Sequence, residues 1–273
     1  MFITAILLGL LSISIIFAVI FITKKSAVGV PPVFLDTYNS IFFLFVFTLL
    51  LSLGISIAKF VGKFEFGDVG VYVSTVVLQI LFSGAVLLLA RKIGVAIRFE
   101  NFGNSLKNAF GYFLCSISVL ACGGCISLLY KFITGEDIEK QQAVALFMDI
   151  DVLWLKIFAG FSIIVLAPIA EELFFRGLLY PCVKGWIARY LGVSSVPQAS
   201  DNLKNKVALV SSAILVSIFF SIIHSSIFAL LPIFLMGLIL ICVYEKTNSI
   251  IAPIVTHLLF NLTNVLIIIF ATK

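Results

Sequence analysis

Eight stretches of this chain, roughly residues 2–23, 37–58, 71–90, 109–130, 153–180, 207–226, 228–244 and 250–270, are apolar over about twenty residues each. That is the length an α-helix needs to cross the hydrocarbon core of a bilayer. In such a solvent every backbone polar group must be satisfied within the segment, so a chain of this kind folds as a helix bundle. The composition agrees: 62% of the 273 residues are hydrophobic and 11% are charged. Soluble domains carry roughly 45–50% and about 25%. The expected fold is therefore an all-α, polytopic membrane bundle of about eight transmembrane helices, organised as one domain around a buried polar cavity.

The first stretch, "MFITAILLGLLSISIIFAVIFITKK", lacks the basic n-region and small-residue cleavage site of a signal peptide. It is read as a retained first helix. The chain shows no CaaX ending and no second-position glycine for myristoylation. Placing the N-terminus outside puts Lys24, Lys25, Arg91, Lys92, Arg98, Lys107, Lys184, Arg189, Lys204, Lys206 and Lys246 on the cytoplasmic side. Lys59, Lys63, Lys131, Lys140, Lys156 and Lys273 remain outside, which is the distribution the positive-inside rule favours. The net charge of +5 is spread between apolar segments. It points to a membrane surface and to no nucleic-acid partner. Residues 92–108 and 183–192 mix cations with aromatic and aliphatic side chains, as interfacial helices do.

Five cysteines, Cys115, Cys122, Cys125, Cys182 and Cys242, form no disulfide framework. "CGGC" at 122–125 has neither a second cysteine pair nor a nearby histidine, and reads as small residues at a helix–helix contact.

Charged groups inside a bilayer are costly and mark function. The fifth stretch carries Glu171, Glu172 and Arg176, the sixth ends at His224, and the eighth holds His257, Asn261 and Asn264. Glu172 and Arg176 are four apart, on one helix face, and can neutralise each other. Glu171 is rotated about 100° from that face and has no local cation. Both histidines of the chain lie in apolar segments. A desolvated carboxylate is a candidate general base and an imidazole can hold water. A second imidazole with an amide can stabilise an oxyanion. Together these would hydrolyse an amide bond in a water-filled cavity. Zinc accepts two histidines and a glutamate, but the spacing is not "HExxH" and requires no metal. The expected cofactor is none.

"EELFFRG" (171–177), "FSIIH" (220–224) and "HLLFN" (257–261) resemble the EExxxR, FxxxH and HxxxN motifs of the CAAX protease and bacteriocin-processing (CPBP, or Abi) family. The resemblance covers roughly residues 160–265. It divides the chain into N-terminal transmembrane helices with an interfacial loop (1–150) and a catalytic core (151–273). It implies an eight-helix, glutamate-type intramembrane endopeptidase acting on a membrane-embedded or lipidated, including prenylated, peptide. By that likeness Glu171 is the general base, His224 helps activate water, His257 and Asn261 form an oxyanion hole, and Glu172 with Arg176 stabilises the site. The expected location is a membrane, the plasma membrane in a prokaryote. The alternatives are a non-enzymatic immunity or scaffold protein of the same family, or a proton-coupled transporter. No internal repeat favours the transporter.

His224 falls late in the sixth stretch and His257 early in the eighth, which places them at different depths in uniform spans. A turn at Ser225 and Ser226 buried inside the bundle, with a short seventh segment, would bring them level. Pro168 is expected to distort the fifth segment.

Overall fold

The computed structural model describes residues 69–91, 94–99, 102–136, 147–193, 202–224 and 226–271. The first two expected spans lie outside the described residues. Within the described residues the chain is helical and contains no strand. The helices long and apolar enough to cross a membrane begin with α1 (Val69–Arg91), α2 (Phe102–Thr134) and α3 (Leu153–Tyr190). They continue with α4 (Asn202–Ile222), a one-turn 3-10 piece (Ile227–Ala229) running into α5 (Leu230–Thr247), and α6 (Ile251–Ala271).

Helix α5 is apolar on every side until Glu245, and a helix of that kind belongs in the interior. It is the most buried of the six, packed against α2, α4 and α6. Its approach to α4 is close because Gly237 has no side chain. A Cβ there would lie 2.9 Å from the Cβ of Ser217 and 3.2 Å from its Cα. By contrast α1 and α2 expose apolar side chains such as Leu81, Leu88 and Phe132, a surface that suits lipid.

Helix α3 departs from the expected segment 153–180. It runs unbroken for 38 residues, and about 1.5 Å per residue takes it well past the ~30 Å hydrocarbon thickness. It alternates α and π geometry: π segments Ser162–Leu166 and Leu173–Leu179 flank the six-residue α piece Ala167–Glu172. Each π segment is followed by an α piece with proline at its second position, Pro168 and Pro181. Proline has no N–H to give the preceding turn, and a wider turn absorbs the missing bond and the clash of the ring. The expected distortion at Pro168 is thus a π segment, and a second one precedes Pro181.

Residues 183–190, read above as part of a separate interfacial helix, are the last turns of α3. Lys184 is buried there, its Nζ 2.7 Å from Glu245 Oε1 on α5, and the same oxygen accepts the Tyr180 hydroxyl at 2.9 Å. A buried carboxylate partner explains why this lysine turns inward. Gly192, with φ +67°, then stops the helix. Its N–H donates to Arg189 O and that of Val193 to Ala188 O, which caps the final carbonyls. Residues 102–108, the last part of the other interfacial candidate (92–108), are likewise the first turns of α2, whereas residues 95–99 are not helical.

The cation-rich helix ends gather at one end of the bundle. Lys204 Nζ donates to Gly192 O, and the N–H of Ile250, in the turn between α5 and α6, donates to Arg98 O. Thr256 Oγ1 of α6 reaches Ala109 O of α2.

Candidate active site

The α piece Ala167–Glu172 carries both glutamates to the middle of α3. Glu172 is fully buried, and its Oε1 accepts from Arg176 Nη1 at 2.9 Å, the i,i+4 pair expected from the spacing. Arg176 is equally buried. Its Nη2 donates to Gly237 O on α5 at 3.0 Å, and its guanidinium lies 4.6 Å over the Phe220 ring of α4. One arginine therefore ties three helices together through a salt bridge, a backbone carbonyl and an aromatic face.

Glu172 Oε1 makes a second contact, 2.9 Å from His257 Nδ1 on α6. A carboxylate can only accept, so Nδ1 carries the proton of this hydrogen bond. That contact turns Nε2 of the same ring toward Glu171, whose Oε2 lies 3.9 Å away. The gap is too long for a hydrogen bond, and Glu171 Oε2 has no hydrogen-bond partner among the described residues. The helical rotation that separates the two glutamates has a clear result. Glu172 orients the imidazole from one side, and Glu171 faces its other nitrogen with an uncommitted oxygen.

His224 sits just past the end of α4, where Nδ1 is 2.7 Å from Phe220 O. A carbonyl only accepts, so this nitrogen is the donor and Nε2 keeps its lone pair. The Phe220 ring stands between the histidines, 4.9 Å from the His224 ring and 6.0 Å from that of His257. The different depths inferred from the sequence are reconciled at this ring. The turn that allows it is not the buried one expected. Ser226 is half-buried at the cavity edge and Ile227 is 74% exposed. Ser225 lies outside the described residues.

Asn261 is one turn beyond His257, and its Nδ2 donates to Ile163 O at 3.0 Å. The local backbone explains why that carbonyl is free. In an α-helix Ile163 O would accept from the N–H of residue 167, but Ala167 donates to Ser162 O in the π register. In the π register it would accept from residue 168, which is proline. Deprived of both partners, the carbonyl takes the asparagine amide instead. Ser162 is itself anchored, its hydroxyl donating to Gln79 Oε1 of α1 at 2.9 Å.

His224, His257 and Asn261 line one cavity of about 370 Å³. Glu171 is not among its lining residues; its Oε2 lies beside Nε2 of His257, which does line it. Helix α2 contributes Val119, Leu120, Gly123, Gly124 and Ser127 to the lining. Two of these belong to "CGGC", so its glycines face the cavity while Cys122 packs into a core cluster. The sequence offered no sign that α2 would wall the site, because apolar residues and glycines in a span carry no mark of a cavity.

Residues 153–263 match the family model described as type II CAAX prenyl endopeptidase Rce1-like. This segment is similar to the CAAX protease family over less than half of the chain. The matched span holds all three motifs, from α3 to the middle of α6, and thus the whole constellation just described. The CAAX protease family is a family of proteases, and the chain is an integral, multi-pass membrane protein. No curated protein and no solved structure matches it.

Proposed function

We propose that the protein is an intramembrane endopeptidase that hydrolyses a peptide bond of a lipidated or membrane-embedded substrate, with Glu171 as general base. The observation that carries this reading is the uncommitted Glu171 Oε2, 3.9 Å from a His257 ring that Glu172 holds from its other side. Water enters through the cavity and donates one hydrogen bond to the free Nε2 of His224. Glu171 takes the other proton as the water oxygen attacks the carbonyl carbon. The developing oxyanion is received by His257 Nε2–H and by the second amide proton of Asn261, the first being given to Ile163 O. Collapse of the intermediate breaks the C–N bond, and Glu171 returns its proton to the departing amine.

The charges are consistent with this scheme. For His257 to donate from Nε2 while Nδ1 donates to Glu172, the ring carries both protons. Glu171, Glu172, Arg176 and His257 then sum to zero, which lets the set remain in a low dielectric.

The scheme requires no metal. Among the described residues no three His, Cys, Asp or Glu gather closely enough to hold one. No step is routed through a metal.

The test uses purified protein in liposomes and a farnesylated peptide ending in a CaaX tail. Glu171→Gln should lower kcat by about 10²–10⁴-fold with the thermal unfolding midpoint unchanged, and a chelator should leave the parent rate intact. Cleavage by Glu171→Gln at the parent rate would overturn the proposal. Loss of activity to chelation, restored by added zinc, would overturn its metal-free form.

A further inference from the structure

Asn264 lies on α6 three residues beyond Asn261 and seven beyond His257, on the same helix face, and lines the same cavity. The other polar side chains of that helix each have a protein partner. Thr256 donates to Ala252 O and Ala109 O, Thr263 to Leu259 O, and Asn261 to Ile163 O. The Asn264 amide makes no hydrogen bond to any described residue. An unengaged amide at membrane depth is costly unless something in the cavity pairs with it. Its coplanar C=O and N–H groups are the complement of a peptide group, whereas an acyl or prenyl chain offers them nothing.

Gly123 and Gly124 of α2 line the same cavity. A Cβ on Gly124 would meet nothing within 4 Å, and one on Gly123 would only touch Pro232 at 3.8 Å. The glycine pair, set between Leu120 and Ser127 in the cavity lining, leaves room for a peptide main chain. Seven helical residues rise by about 10.5 Å, and an extended chain covers that length in about three residues.

We propose that Asn264 is a substrate-positioning residue, pairing with a backbone peptide group about three residues from the bond that is cut. This rests on the endopeptidase reading, and the experiment separates the two. The probe is a farnesylated CaaX-tail peptide and its ester analogues, each replacing one peptide bond within three residues of the scissile bond. In the parent one ester should reduce kcat/KM by about 3–10-fold, the worth of a single hydrogen bond, chiefly through KM. In Asn264→Leu the same ester and the amide should be cleaved alike, and Asn264→Gln should restore part of the difference. The ratio is taken within each variant, so any loss of folded protein cancels. The same comparison of Kd in the Glu171→Gln background requires no hydrolysis. If the discrimination appears in Kd while the parent never cleaves, the endopeptidase reading fails and the positioning role stands. Equal ester-to-amide ratios in the parent and Asn264→Leu, or no binding of the peptide at all, would overturn the positioning role.

Discussion

At the scale of single residues, Arg176 has no access to solvent and is held by Glu172, Gly237 O and the Phe220 ring. Removing one partner of a buried ion pair strands the other, which typically costs about 3–5 kcal/mol. Arg176→Met is therefore expected to lower unfolding free energy by that amount, read from reversible denaturation in bicelles. A loss below about 1 kcal/mol would show that the pair is hydrated. The Glu172–Arg176 pair was legible in the sequence because an i,i+4 contact is decided by the helix itself. The grip of Glu172 on His257 was not, since it joins residues 85 positions apart and depends on how α3 and α6 are rotated against each other. The motifs marked which side chains assemble; they carried no information on which nitrogen faces which oxygen. Asn264 was visible as a polar residue in an apolar run, but its availability emerges only once the partners of Thr256, Asn261 and Thr263 are known.

At the scale of elements, the fifth segment showed how far periodicity reaches. Its apolar character made it a span, and Pro168 marked a distortion, yet a 3.6-residue pattern cannot announce a π segment. The consequence for Asn261 is testable. Pro168→Ala supplies the N–H that Ile163 O lacks in the π register, so the asparagine should matter less for stability in that background. Asn261→Leu should cost about 0.5–1.5 kcal/mol less with Pro168→Ala than without it, measured as a double-mutant cycle of unfolding free energies. Additive losses would mean that the amide does not substitute for the missing backbone bond. The end of α3 was misjudged for a related reason. A lysine among aromatic residues reads as interfacial until its acidic partner, here on another helix, is located.

For the whole molecule, the described helices gather their cationic ends together, and the Lys184–Glu245–Tyr180 cluster locks α3 to α5 at that end. Glu245→Leu alone leaves Lys184 buried without its carboxylate and should destabilise the fold by about 3–5 kcal/mol. Adding Lys184→Met should recover most of the loss, because apolar replacement of both partners is commonly neutral. Thermal midpoints of the two variants check this, and a double variant no more stable than Glu245→Leu would indicate that the cluster does more than pair charges. The bundle class and the site's place in it followed from segment lengths and motif order. The participation of α2 did not, because glycines shape a cavity only through what surrounds them.

The alternation of helix types along α3 sets the angular phase of each of its sections separately. A π segment is an α-helix carrying one surplus residue per wide turn, and each surplus residue delays the rotation of everything beyond it by about 100°. Leu155 and Ala159, the two glutamates, and Ile187 with Ala188 can therefore each face their own neighbours without compromise between them. The shaft behaves as three coupled cams. Deleting a single residue from Ser162–Leu166 would leave every side chain near Glu171 in place and still turn the first section of the helix away from its partners.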